Sequence, residues 1–189
     1  MTTINCFLLF FIFIFFGCTN PQTVNIKPDI DKVLQPATLR SSFNTNPPNL
    51  KSLTNCTNTQ INIINENKTN ENIVLAPGKV HPGWHVNTSE IAAQLTEYLK
   101  DAVRQCRLTQ DQTSKKIIAI SLQKIDGYAG FGSSATLYVN VRIPEKNITI
   151  PLVITQNTFE LPNAVAYSIH AMTWQIINDP VIQDHMLCK

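Results

Sequence analysis

The segment ATLYVNVRI (residues 135–143) alternates without a break. Ala135, Leu137, Val139, Val141 and Ile143 are apolar, while Thr136, Tyr138, Asn140 and Arg142 lie between them. Successive side chains of a strand point to opposite faces, so this pattern describes a strand with one face buried and one in water. Its neighbours repeat it. Ile118, Ile120 and Leu122 alternate with Ala119, Ser121 and Gln123 upstream, and Ile148, Ile150, Leu152 and Ile154 alternate with Thr149, Pro151, Val153 and Thr155 downstream. Pro144 to Asn147 turns the second of these strands into the third. Pro151 has no N–H to give a ladder, which places the last strand at a sheet edge or at a bulge.

Helical patterns flank the three strands. Asn87, with Glu90 three residues on, forms a capping pair for a helix over Thr88 to Cys106. Its apolar positions are Ile91, Ala92, Leu95, Tyr98, Leu99, Ala102, Val103 and Cys106, one face of an amphipathic helix. A second helix runs from about Pro162, a residue suited to a first turn, to Ile177. Asp179-Pro180 ends it, and a short tail helix follows to Met186. Upstream, the domain begins near Thr59 with a short strand, Gln60 to Ile64, then an Asn-rich turn and a second short apolar run, Ile73 to Leu75. Pro77-Gly78 and Pro82-Gly83 mark loops. The order β-α-β-β-β-α predicts an α+β domain, an antiparallel sheet of about four strands with two roughly parallel helices on one face.

The first third of the chain is different. Of the 189 residues, nine are Phe, and six of those fall before residue 17, where no charged residue occurs. Phe7 to Phe16 is an unbroken apolar run. A membrane-spanning helix needs about 20 such residues, so the run has the length of a signal-peptide core and residues 1–17 are read as a signal peptide. Residues 18–55 carry Pro21, Pro28, Pro36, Pro47 and Pro48 among many Asn, Thr and Ser, with little periodic pattern. Such a stretch buries too little to offset its ordering entropy and is read as an extended tether, leaving residues 56–189 as the folded domain. Its reach is about 30 Å as a coil and about 120 Å fully stretched. Over the whole chain only 15% of residues are charged and the net charge is +2, which excludes a nucleic-acid binder working through a broad basic surface.

Phe15-Phe16-Gly17-Cys18 resembles the lipobox of bacterial lipoproteins, in which a Cys is acylated after cleavage. By that class's sorting rule, Thr19 after the Cys implies the outer membrane. More than one acyl chain gives durable anchoring, at about 0.8 kcal/mol per buried CH₂. The alternative is an ordinary secreted protein with Cys18 free. The run from Gly17-Cys18 through Lys27-Pro28, Gln60 to Asn65, the helix at Glu90 to Val103, the strand pair around Leu122 to Val141, and Ala164-Val165 with Asn178-Asp179 and Ile182 together resemble the YajG-type bacterial lipoproteins. The family is also similar to the small auxiliary lipoproteins of envelope lipid transporters. The resemblance implies a location and a fold, and brings no catalytic residues with it.

Cys56, Cys106 and Cys188 follow Cys18, and in an oxidising compartment a disulfide between two of the three is expected. Cys56–Cys106 is favoured and would constrain the unfolded chain by about 4 kcal/mol, with Cys106–Cys188 as the other pairing. Cys106 is also read as a buried apolar position. His81 and His85 are no metal pair, because Pro82 and Gly83 between them remove the helix that would align them. Trp84 is placed in that loop, where it would touch a membrane surface or a partner. Gly127, Gly130 and Gly132 lead into a strand, not a helix, so they are read as supplying bulges and a wide hairpin, not a phosphate loop. Tyr128 and Phe131 at its tip are expected to be exposed.

On the second helix, Val165, Ile169, Met172 and Ile176 cluster on one side, with Tyr167 and Trp174 almost opposite and His170 flanking them. An outward aromatic stripe would be a protein interface. Alternatively the tether or tail covers it. Ser168 and His170 do not face each other, and Asp126, Glu145 and Glu160 form no pattern, so no catalytic residues are assigned and no cofactor is expected. The expectation is a non-catalytic lipoprotein facing the periplasm, held to the membrane by acyl chains, with an envelope protein partner and a homo-oligomer also open. The alternative is an auxiliary protein that binds lipid or another hydrophobic ligand in a groove between helices and sheet.

Overall fold

The computed structural model describes residues 59–77, 83–106 and 108–186. The signal peptide, the tether, Cys18, Cys56, His81 and Cys188 lie outside the described residues.

Ile61 and Ile63 turn inward at period two and build β1 (Gln60–Asn65). A two-stranded hairpin follows, β2 (Asn72–Leu75) against β3 (Trp84–Asn87), pairing Leu75 with Trp84. Trp84 is therefore a half-buried strand residue packed on the core, not a loop residue as its Pro-Gly context suggested. Asn87 ends β3 and caps α1 (Thr88–Gln105), its Oδ1 accepting from the Ser89 and Glu90 amides at 2.9 and 3.1 Å. This satisfies two of the donors that a helix start leaves unpaired. Ile91, Leu95, Leu99 and Ala102 form the buried stripe expected of it.

The chain then adds β4 (Thr109–Gln110), β5 (Ile117–Ala129), β6 (Ser133–Ile143), β7 (Ile148–Thr158), α2 (Leu161–Asn178) and α3 (Pro180–Met186). The main sheet has the order β4-β1-β5-β6-β7. The α+β class and the succession β1, α1, β5, β6, β7 and α2 are as read from the sequence, whereas β3 and β4 were not foreseen. The antiparallel arrangement holds for β5, β6 and β7, but β1 pairs with β5 in parallel, from Asn62↔Ile117 to Asn65↔Ile120, and β4 joins β1 in parallel, so the five-stranded sheet is mixed. The cause is α1. It carries the chain back to the end at which β1 began, and a strand, helix, strand crossover leaves its two strands parallel. α1 returns the chain from the level of the β1 C-terminus to that of Thr59, and α2 returns it from the end of β7, so both descend the same face in the same direction.

β7 is the sheet edge, with Pro151 opposite Asn140 and no register break against β6. The bulge lies elsewhere. Between Leu122 and Lys124 the β5–β6 register slips at Gln123, and the glycines make a tight turn over residues 130–132, closed by Gly130 N donating to Gly132 O at 2.8 Å. The wide, bulged hairpin expected at Gly127 is thus replaced by regular pairing, Gly127 with Ala135.

One face of β6 (Ala135, Leu137, Val139, Val141, Ile143) is buried under the helices, and Ser168 Oγ on α2 donates to the Ala135 carbonyl at 2.8 Å. α2 is buried almost all round, including Ala166, His170, Ala171 and Thr173 away from its aliphatic stripe. A helix enclosed in this way is a core element, not a surface one.

Candidate interaction surface

At the far end of the sheet the β5–β6 hairpin presents Tyr128 and Phe131, 63% and 112% exposed. The chain reverses at Gly130 beneath the Tyr128 phenol. Ser133 then pairs with Thr158, the last residue of β7, and its Oγ donates to the Phe159 carbonyl at 3.3 Å. Thr158 Oγ1 in turn donates to the Glu160 carbonyl at 2.6 Å and accepts from the Glu160 amide at 3.0 Å. That turn ends β7, starts α2 with Pro162 in its first turn, and leaves Phe159 94% exposed. Three large aromatics therefore stand in water at one end of the fold, where burying each would be worth about 1.5–3 kcal/mol. All three are carried on the turns that close this end of the sheet.

Tyr128 and Phe131 are where the sequence placed them, at the hairpin tip. Phe159 was not singled out, and its only signal is its isolation between Thr158 and Glu160 just ahead of Pro162. The described chain begins at Thr59 on the opposite end, since Asn62 pairs with Ile117 at the start of β5. β5 spans thirteen residues, which separates the two ends by about 40 Å.

The second helix is arranged differently from its expectation. His170 is buried and Trp174 is packed against the core, with Trp174 Nε1 donating to His170 Nε2 at 3.0 Å and the two rings edge to face. Of the stripe itself, Tyr167 and Trp174 are both half-buried, and it is the flanking His170 that is enclosed. Burial drives the His170 pKa down to about 4, so the imidazole is neutral and accepts the indole proton. Ser168 is committed to the Ala135 carbonyl and does not meet His170.

Cys106 caps the end of α1, buried, and burial pushes its thiol pKa up. Among the described residues no three of His, Cys, Asp and Glu come together to hold a metal ion, and no helix is long and apolar enough to cross a membrane.

No family model matches the chain, and no curated protein sequence matches it. Among solved structures it is similar to protein XCC0632 from Xanthomonas campestris, of family DUF330, at 11% identity and a TM-score of 0.45, covering 69% of this chain and 85% of that one. It is also similar to an uncharacterized protein at 8% identity and a TM-score of 0.35, covering 69% of this chain and 92% of that one.

Proposed function

We propose that this chain is a non-catalytic outer-membrane lipoprotein, anchored through acyl chains on Cys18, that faces the periplasm and serves as an accessory subunit of an envelope assembly. The observation that supports it is the exposed aromatic end of the sheet, Tyr128, Phe131 and Phe159. Nothing in the fold needs these side chains where they stand, and aromatics are typical anchors of protein interfaces. The docking surface of this reading is that end and not the α2 face, whose His170 is enclosed. The lipid-handling alternative needs space between helices and sheet, whereas Ile118, Ile120, Leu137, Ile169 and Met172 fill that interface with each at most 1% exposed.

A Cys56–Cys106 disulfide belongs to the same reading. In the described structure Cys106 ends α1 as a buried free thiol, and Cys56 lies outside the described residues.

The test is crosslinking and detergent capture of the full chain from its own envelope, comparing the unmodified protein with a Phe131→Ser/Phe159→Ser variant. A stoichiometric partner that is lost in the variant supports the reading. A partner retained by the variant rejects the aromatic end as the docking surface, and a monomer carrying bound lipid rejects the subunit role.

A further inference from the structure

β1 leaves β5 early. Its last pair is Asn65↔Ile120, yet β5 runs on to Ala129, so from Ser121 onward that edge of β5 has no strand beside it among the described residues. Among the described residues β2 is likewise paired on one side only, with β3. The two edges face each other across a cleft of about 660 Å³, walled by residues 122–127 of β5 and 73–77 of β2 and the turn after it. Walls made of consecutive residues are strands seen edge-on, since a strand's face contributes only every second residue. The N–H and C=O groups along such edges are a template for a further strand.

The cleft is shut at one end, where Leu75 packs over Gly127. At the other it adjoins a second cleft of about 720 Å³ beside Glu66 and Arg142. Leu122, Ile125 and Leu75 give it an apolar lining. Beside the Lys124–Asp126 ion pair its lining carries Glu71, and the Arg142–Glu66 pair lies in the adjoining cleft.

We propose that the cleft is filled by this chain's own residues Thr23 to Ile26, added as a strand antiparallel to both β5 and β2. The middle of the cleft lies about 30 Å along the strand direction from Thr59, so residues within about nine positions of Thr59 cannot reach it. Of the earlier residues, Thr23-Val24-Asn25-Ile26 is an uncharged run with β-branched residues at three of its four positions, and it puts Val24 and Ile26 on one face. A chain leading back from Thr59 meets the open end first. Its N-to-C direction in the cleft is then from the closed end to the open one, opposite to β5 and to β2, both of which run toward the Leu75–Gly127 contact. The arrangement does not depend on whether Cys18 is acylated.

Amide hydrogen exchange on the full chain tests this. In the unmodified protein the cleft-side amides of residues 122–127 are protected, and Val24→Pro or Ile26→Asp speeds their exchange on the order of tenfold or more, while amides of residues 137–141 in the core strand keep their rates. Fast exchange at 122–127 in the unmodified chain overturns the proposal. So does protection that neither variant changes, or protection that disappears on dilution, which would mark a second copy of the chain as the occupant.

Discussion

Leu75 sits directly over Gly127: a Cβ built at position 127 would lie 2.9 Å from the Leu75 Cβ and 3.2 Å from Leu161 Cδ1. This one close approach joins the β2–β3 hairpin to the main sheet and brings the start of α2 to the same point. The Leu161 methyl can rotate away, but the Leu75 Cβ is fixed to its backbone. Gly127→Ala is therefore expected to lower the unfolding free energy by about 1–3 kcal/mol, as overpacking does. At Gly132 the nearest atom to a Cβ would be the Thr158 carbonyl oxygen at 3.5 Å, an ordinary contact. Gly132→Ala should stay within about 0.5 kcal/mol of the parent. Denaturant titration of both variants checks the pair.

Asn87 performs two tasks at once. Its Oδ1 caps α1, and its Nδ2 donates to the side-chain oxygens of Asn70 and Asn72 at 2.8 and 3.0 Å, tying the loop before β2 to the helix start. Asn87→Ala should cost about 1–2 kcal/mol, at the upper end of N-cap losses. Asn87→Asp keeps the acceptor and loses the donor, so its melting temperature should fall between those of the parent and Asn87→Ala.

The neutral His170 makes stability depend on pH. Its folded pKa, about 4, lies below the ordinary 6.5, so between these values the unfolded chain binds more protons. The stabilisation is full above pH 6.5 and is lost as pH falls toward 4, by up to about 3 kcal/mol. His185 is lowered by burial as well and contributes with the same sign. His170→Gln offers Trp174 an acceptor that does not titrate, so the pH 4 to 6.5 slope of its unfolding free energy should be smaller than the parent's, though not zero.

The elements most legible in the sequence are those whose pattern records burial directly. Period two over residues 135–143 was enough to place β6 and its inner face, and the Asn87 and Glu90 spacing placed the start of α1. The tight glycines around Phe131 similarly foretold an exposed tip. The hairpin of β2 and β3 was harder. Ile73-Val74-Leu75 has no alternation, and its partner strand hid Trp84 behind a Pro-Gly pair that reads as loop. On α2, the flanks of the aliphatic stripe carry Ala166, Ala171, Thr173 and His170, residues that tolerate burial as readily as exposure. Their burial was decided by what packs there, and Trp174 found its hydrogen-bond partner one turn away on the same helix.

Local pattern thus established β1, β5, β6, β7, α1 and α2, their order and their apolar faces, because side-chain periodicity follows from backbone geometry within a few residues. Three features required the assembled molecule: β1 pairing with β5 in parallel, α2 lying inside the core, and Phe159 standing at the same end of the sheet as Tyr128 and Phe131. Each depends on contacts between residues far apart in the chain, and no stretch of local sequence carries the free energy that selects them.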